Sequence, residues 1–307
     1  MFQNSKSSYE NQVRLLLEVL PHVTSNPNLA LKGGTAINLF VRDLPRLSVD
    51  IDLMYLPVTS REHAFKEINE TLAEAAQTIK KTISGVVVKS NKPFNSGEEI
   101  KIIVEMRDSK VKVEPNYTLR GSVFPSSIRT LSKQCQAQFG AFAAIQVVSI
   151  EDLYAGKICA ALDRQHPRDM FDIHWMLEDK GVTVDIKLAF MVYLMSHNRP
   201  LSELLSPNWK NLEAEFKIEF EGMTKDDVSL EKLQETGPKL LTEIFAQLTE
   251  VDKIFLLNFK LGTEDWNHFF KPEVQFFPAI RWKQHNLAKL SYQKRAQAVK
   301  KLESVLF

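Results

Sequence analysis

Cysteine is scarce in this sequence of 307 residues: its two copies, Cys135 and Cys159, lie far apart. That spacing excludes a disulfide framework and matches no metal motif, so free buried thiols in a reducing compartment are expected. Long apolar runs are missing as well. No stretch approaches the roughly 18–20 residues of a membrane span, and the N-terminal residues lack the basic-then-apolar layout of a secretion signal. A cytoplasmic protein with no membrane partner is expected. Nor does one sign of charge dominate. The 39 Lys and Arg against 38 Asp and Glu leave a net charge of +1, so bulk charge points neither to nucleic acid nor to an acidic substrate, and any basic surface must be local. His166 and His174 have no third partner at zinc-like spacing, which excludes a zinc site. Internal repeats and low-complexity tracts are absent.

The length allows two domains and a substantial core. Val13, Leu16, Leu17 and Leu20 recur at helical spacing over Ser8–His22, and Pro21 and Pro27 are expected to end that helix. A short strand follows at Leu29–Lys32. Gly33 and Gly34 then supply a sharp turn, and Thr35 opens a helix carrying Ala36, Ile37, Leu39 and Phe40. A strand, a glycine turn and a helix N-terminus together offer backbone N–H groups to an anion.

The next segment holds the chief anomaly. Arg46–Tyr55 reads as an apolar strand, yet it contains Asp50 and Asp52, and a buried unpaired carboxylate is costly. Side chains repeat every second residue in a strand, so the two acids share a face, with Cα atoms roughly 6–7 Å apart. Bound divalent metal would remove the cost. A long helix is expected over Ser60–Lys81, followed by strands at Val86–Lys89, Ile100–Met106 and Lys110–Glu114, with a hairpin tip at Arg107–Lys110. Alternation sets Val111 and Val113 to one side and Lys112 and Glu114 to the other. Glu114 is therefore a candidate third acid, with Glu105 on the partner strand as its rival and a solvent-facing pair as the plainer reading.

A loop or short helix spans 131–142, and Ile145–Val148 is a short strand. Ser149 caps a helix reaching Asp163, whose apolar stripe of Ile150, Leu153, Tyr154, Ile158, Ala161 and Leu162 contains Lys157. An ammonium on a core-facing stripe either snorkels to solvent or serves a ligand, and beside a strand-to-helix junction a phosphate is the better account. Pro167 opens another helix, ending near Gly181. On it, Asp169 and Asp172 read as first-turn acids, with Arg168–Asp172 as a surface pair. Beyond Val182 the pattern is helical: Lys187–Met195, Leu201–Leu212, Leu240–Phe245, Thr249–Leu257 and one last helix from about Pro278 to Leu306, with Lys217–Lys225 as strand or loop. That last helix gathers Arg281, Lys283, Lys289, Lys294, Arg295, Lys300 and Lys301, a basic stripe suited to a phosphate backbone or simply a solvated face.

These parts form the set that nucleotidyl transfer requires. Mg²⁺ prefers oxygen ligands and retains triphosphate oxygens among them. Two ions roughly 3.5–4 Å apart can activate an attacking hydroxyl and neutralise departing pyrophosphate. Turn N–H groups and a lysine hold the phosphates. Leu31-Lys32-Gly33-Gly34-Thr35-Ala36, Arg46-x-Ser48-x-Asp50-Ile51-Asp52, Val111-Lys112-Val113-Glu114-Pro115-Asn116, and Lys157 with Arg164 and Arg168-Asp169-Met170-Phe171-Asp172 resemble, in order and spacing, the AbiEii/AbiGii-type nucleotidyltransferases, a family that includes toxins of abortive-infection and type IV toxin-antitoxin systems. The resemblance implies an α+β fold similar to that of DNA polymerase β-type nucleotidyltransferases. Its mixed sheet with flanking helices would occupy 1–148. A mainly helical domain would occupy 149–307, its first helices (149–178) completing the active site. It further implies a nucleotide-binding turn at Gly33, Gly34 and Thr35, joined by Arg46, Ser48 and Lys157, and metal acids at Asp50 and Asp52 with Glu114 as third acid. The catalytic set would be Asp50, Asp52, Lys157 and Asp169, with Mg²⁺ or Mn²⁺ as cofactor and an NTP as donor. RNA, specifically the tRNA 3′ end, is the implied acceptor and an antitoxin the implied partner. Two alternatives stand beside this reading: transfer to a small molecule or protein, and a catalytically silent nucleotide-binding module.

Overall fold

The computed structural model describes residues 2–307, with side chains from Ser8 onward. The chain forms two compact units, Met1–Ser149 with Phe220–Asp227, and Ile150–Glu219 with Val228–Phe307. In chain order the first contains α1 (Phe2–Val23), β1 (Leu29–Lys32), α2 (Gly33–Ala36), β2 (Asp50–Tyr55), α3 (Arg61–Thr82), β3 (Val87–Ser90), β4 (Ile102–Met106), β5 (Ser109–Asn116), β6 (Ser127–Thr130), α4 (Lys133–Phe139) and β7 (Ala144–Val147). Its strands make one sheet in the order β3-β4-β5-β2-β1-β7-β6. Pairing is parallel for β2 with β5 and β1 with β7, and antiparallel elsewhere.

Central strands explain the apolar run around the acids. Leu29, Ala30 and Leu31 of β1 and Ile51, Leu53 and Met54 of β2 are fully buried, each contributing about 1.5–3 kcal/mol for a large side chain. Helix α1 packs against β5 and α3. Its Pro21 does not terminate it but sits inside the last turn before Val23, where a missing N–H removes only one ladder bond. Ser60 caps α3, its side chain accepting from the His63 N–H, and Lys80 and Lys81 fall in the last turn where the dipole favours them. Strand β6 was not expected: four residues at the sheet edge, with Ile128 exposed, carry no alternation to read. Segment 220–227 returns to the first unit, where Thr224 bridges Arg46 and Leu47 N–H donates to Met223 O at 2.7 Å.

The second unit is helical: α5 (Ile150–Asp163), α6 (Pro167–Asp179), α7 (Val184–Ser196), α8 (Leu201–Leu204), α9 (Glu213–Glu219), α10 (Leu230–Gln247), α11 (Glu250–Leu261), α12 (Pro278–Ala288) and α13 (Tyr292–Leu306). Three expectations need correction. The helix expected over Leu201–Leu212 stops at Leu204. The expected Leu240–Phe245 element is the second half of α10, which runs through Gly237 and Pro238. The single last helix is two, because Ser291 caps a new one by accepting from Lys294 N–H.

The basic stripe breaks with it. Lys283 Nζ donates to the carbonyls of His197 at 2.5 Å and of Asn198 and Arg199 at 3.3 Å, and burial, with some help from Lys260, pushes its ammonium down to about 8. Arg295 donates to Leu261 O and Leu287 O, and Lys301 lies 3.5 Å from Glu203. With Arg281 over the Phe276 ring at 5.8 Å, four of the seven cations therefore serve contacts within the unit.

Candidate active site

At the end of β1 the chain turns on Gly33, whose φ of +74° is a left-handed conformation that costs other residues about 1–2 kcal/mol. Close approach also excludes a side chain here. A Cβ on Gly33 would collide with Asp52 Oδ2, and one on Gly34 would come within 2.7 Å of Arg46 Nη2 and 3.1 Å of Ser48 Oγ. The turn thus lies directly against the acid strand. N–H groups in a first helical turn have no intrahelical acceptor, so α2 begins with donors beside the Asp52 carboxylate.

Thr35 fastens the arrangement. Only 1 % exposed, it donates to the main-chain carbonyl of Asp50 at 2.5 Å, and its hydroxyl lies 3.0 Å from Ser48 Oγ. The side chains of Thr35 and Ser48 therefore hold the turn to the start of β2, and Arg46, 3 % exposed, donates to Leu47 O. Five of the six expected nucleotide-binding residues, Gly33, Gly34, Thr35, Arg46 and Ser48, are brought together here, and the sixth, Lys157, belongs to the second unit.

Asp50 and Asp52 lie on the same face of β2, both partly exposed between the buried Ile51 and Leu53. The Asp50 carboxylate has no partner among the described residues. Asp52 stands in register with Lys32 of β1 on one side and Glu114 of β5 on the other. Parallel pairing of β2 with β5 therefore sets Glu114 beside Asp52, whereas Glu105 is paired with Lys110 in register and with Lys89 by a 2.5 Å ion pair. Glu114, however, already holds a cation. Lys101 Nζ is 2.6 Å from its carboxylate, and that hydrogen bond, with weaker attraction from Glu99 and Asp52, raises the Lys101 ammonium above its ordinary range. Among the described residues no three His, Cys, Asp or Glu side chains converge as a metal cluster. Two carboxylates with hard oxygen donors, one of them unpartnered, still suit Mg²⁺, which takes its other ligands from water and phosphate.

Lys101 was not singled out from the sequence, although a signal for it existed. A two-residue tip at Arg107 and Asp108 sets the hairpin register, pairing Met106 with Ser109 and Ile102 with Val113. One step further along the same register sets Lys101 opposite Glu114.

In the second unit, Lys157 points inward from α5 and is 7 % exposed. Its ammonium lies 2.8 Å from Asp169 and 3.0 Å from Asp172, both on α6 and both buried. Arg164 adds two hydrogen bonds to Asp169, Nε at 2.6 Å and Nη2 at 3.0 Å. Two cations thus balance two carboxylates. Burial by itself would raise the Asp169 carboxyl, but Lys157 and Arg164 outweigh it and hold the group well below the usual carboxylate range. An ammonium has three N–H donors, so these carboxylates leave Lys157 one for a ligand. Asp172 is not half of a surface pair: Arg168 lies 3.6 Å from Glu219 instead. The missed signal is that Met170, Phe171 and Ile173 are buried around it, so the first two turns of α6 face the core and its exposed acids, Glu178 and Asp179, lie at the far end.

The sequence matches the family model described as nucleotidyl transferase AbiEii toxin, type IV TA system, over residues 14–286. Among solved structures it is similar to MenT4, a nucleotidyltransferase toxin from Mycobacterium tuberculosis, with a TM-score of 0.60, 13 % identity, and coverage of 97 % of this chain and 93 % of that one. At that identity the likeness is one of fold. No curated protein matches.

Proposed function

Since the chain belongs to the AbiEii family of nucleotidyltransferase toxins of type IV toxin-antitoxin systems, we propose that it moves a nucleoside monophosphate from an NTP to an RNA hydroxyl, the tRNA 3′ end in particular. One observation carries the proposal: the Asp50 carboxylate is partly exposed and unpartnered, shares a face with Asp52, and adjoins a turn with no side chain to obstruct a phosphate. Asp50 and Asp52 would hold Mg²⁺ or Mn²⁺. When bound, the cation supplies charge neutralisation at the transferring phosphate and at the departing pyrophosphate.

The chain's own residues account for the rest. Gly33 and Gly34 admit phosphate oxygens to the N–H groups of the first α2 turn, where the helix dipole favours negative charge. Thr35 and Ser48 are positioning residues that keep that turn and β2 in fixed relation, so the donors need not reorganise during reaction. Glu114, in register with Asp52, is proposed either to join the metal set or to accept the proton of the attacking hydroxyl, through the carboxylate oxygen that Lys101 leaves open. Lys157 is proposed to contact the triphosphate through its remaining donor, with Asp169 and Asp172 orienting it. Membership of a type IV system implies an antitoxin counterpart.

The test is the purified protein with Mg²⁺, each labelled NTP and total tRNA, with small-molecule and protein fractions assayed in parallel. Label in RNA with pyrophosphate release is the expected result. Asp50→Asn should lower it by roughly 10²–10³-fold while leaving the fold intact. Label confined to the other fractions would overturn RNA as acceptor. NTP binding without pyrophosphate release would reduce the protein to a binding module.

A further inference from the structure

The second unit contains a cavity of about 310 Å³ lined by Lys260, Lys294, Lys301, Ser202, Glu203 and Leu302, among others. Lys260 is its unusual member. This lysine is 7 % exposed, and its ammonium has no ion pair or hydrogen bond among the described residues. A buried charge without a partner is expensive. Its place in the last turn of α11 lends it the helix dipole but no carbonyl within hydrogen-bonding distance. Burial accordingly lowers its affinity for the proton.

The same wall carries a second uncommitted polar group. Ser202 is 5 % exposed, and its hydroxyl has no hydrogen-bond partner among the described residues. Three lysines here meet one glutamate, which lies 3.5 Å from Lys301 and 3.6 Å from Arg199. The site therefore has a surplus of positive charge and of donors, the converse of what an empty structural cavity in a folded domain should contain.

We propose that this cavity binds a phosphate group carried on a ligand of nucleotide size. A phosphate presents several acceptor oxygens and can take Lys260, Lys294 and Ser202 at once, whereas a carboxylate has two oxygens to offer them. The volume lies at the lower end of small-molecule sites, which suits a phosphate with one attached nucleoside and excludes a folded polypeptide segment. Leu201 and Leu302 provide the apolar wall for the rest of the ligand. The phosphate comes either from a free nucleotide or from an RNA end. This site does not depend on the proposed reaction, since none of its residues belongs to the Asp50 or Lys157 groups.

The test is titration of the full chain, without divalent cation, with inorganic phosphate, AMP and a short single-stranded RNA bearing a 5′-phosphate. Calorimetry and melting temperature are the readouts. Wild type should bind at least one of the three. Lys260→Met, which keeps the packing volume, should bind at least tenfold more weakly yet melt no lower than wild type in the absence of ligand. Lys294→Gln, at an exposed position, should weaken binding several-fold. Tight AMP binding would assign a free nucleotide, and tight binding of the RNA alone would assign an RNA end. No binding into the millimolar range, or equal affinity in wild type and both variants, would overturn the proposal.

Discussion

Replacing Asp169 by Asn tests whether the buried charge group of the second unit is as tightly coupled as its distances imply. Removing one member of a buried ion pair costs about 3–5 kcal/mol, because the partner is left uncompensated. Here Asp172 remains 3.0 Å from Lys157 and absorbs part of that cost. The Arg164 side chain is 61 % exposed, so it rehydrates and adds little. The expected loss is therefore about 2–3 kcal/mol, or roughly 5–10 °C in melting temperature for a unit of this size. Tryptophan fluorescence is the suitable assay, because Trp175, Trp209, Trp266 and Trp282 all lie in the second unit and report on it alone. The pH dependence has a definite sign. The folded carboxyl titrates well below its ordinary value of 3.8, so its contribution is complete above about pH 5 and is lost as the pH falls, when the unfolded chain takes up the proton first. Wild type and variant should converge in acid. Equal stability at pH 7, or a gap that stays constant down to pH 2, would refute the reasoning.

The glycine turn makes two unequal predictions. Gly33→Ala adds left-handed strain and a collision with Asp52, and should cost about 1–2 kcal/mol in urea unfolding and abolish transfer. Gly34→Ala adds no left-handed strain but presses on the buried Arg46 guanidinium and Ser48 hydroxyl, and should cost about 1 kcal/mol. Asp50→Asn, at a carboxylate with no partner to lose, should leave the unfolding midpoint within about 0.5 kcal/mol of wild type. A larger loss would mean that the carboxylate has a structural role. Lys101→Gln breaks an exposed pair and should change stability by less than about 1 kcal/mol. By removing a positive charge from beside the acids it should tighten Mn²⁺ binding by about 1 kcal/mol, roughly fivefold in Kd; unchanged Mn²⁺ affinity would leave Glu114 outside the metal set.

Local chemistry by itself determined much of this protein. Period-two alternation placed Asp50 and Asp52 on one face of β2, and the Gly33-Gly34 pair marked a turn whose left-handed first residue favours glycine. Lys157 was legible as inward-facing because a 3.6-residue period is strict enough to single out one charged position on an apolar stripe. What the sequence could not supply was long-range pairing. Parallel pairing of β2 with β5 joins strands far apart in the chain and set Glu114, not Glu105, beside Asp52. The return of segment 220–227 to Arg46, likewise, has no local signature. Charge compensation was also a tertiary matter. Asp172 reads as a surface acid in the sequence, yet the first turns of α6 are buried, and the basic stripe is interrupted where Lys283 and Arg295 donate to carbonyls that only folding brings within reach. The glycine turn and the acid strand were thus written in local backbone geometry, whereas the partner of each charge depended on which distant elements the folded chain placed beside it.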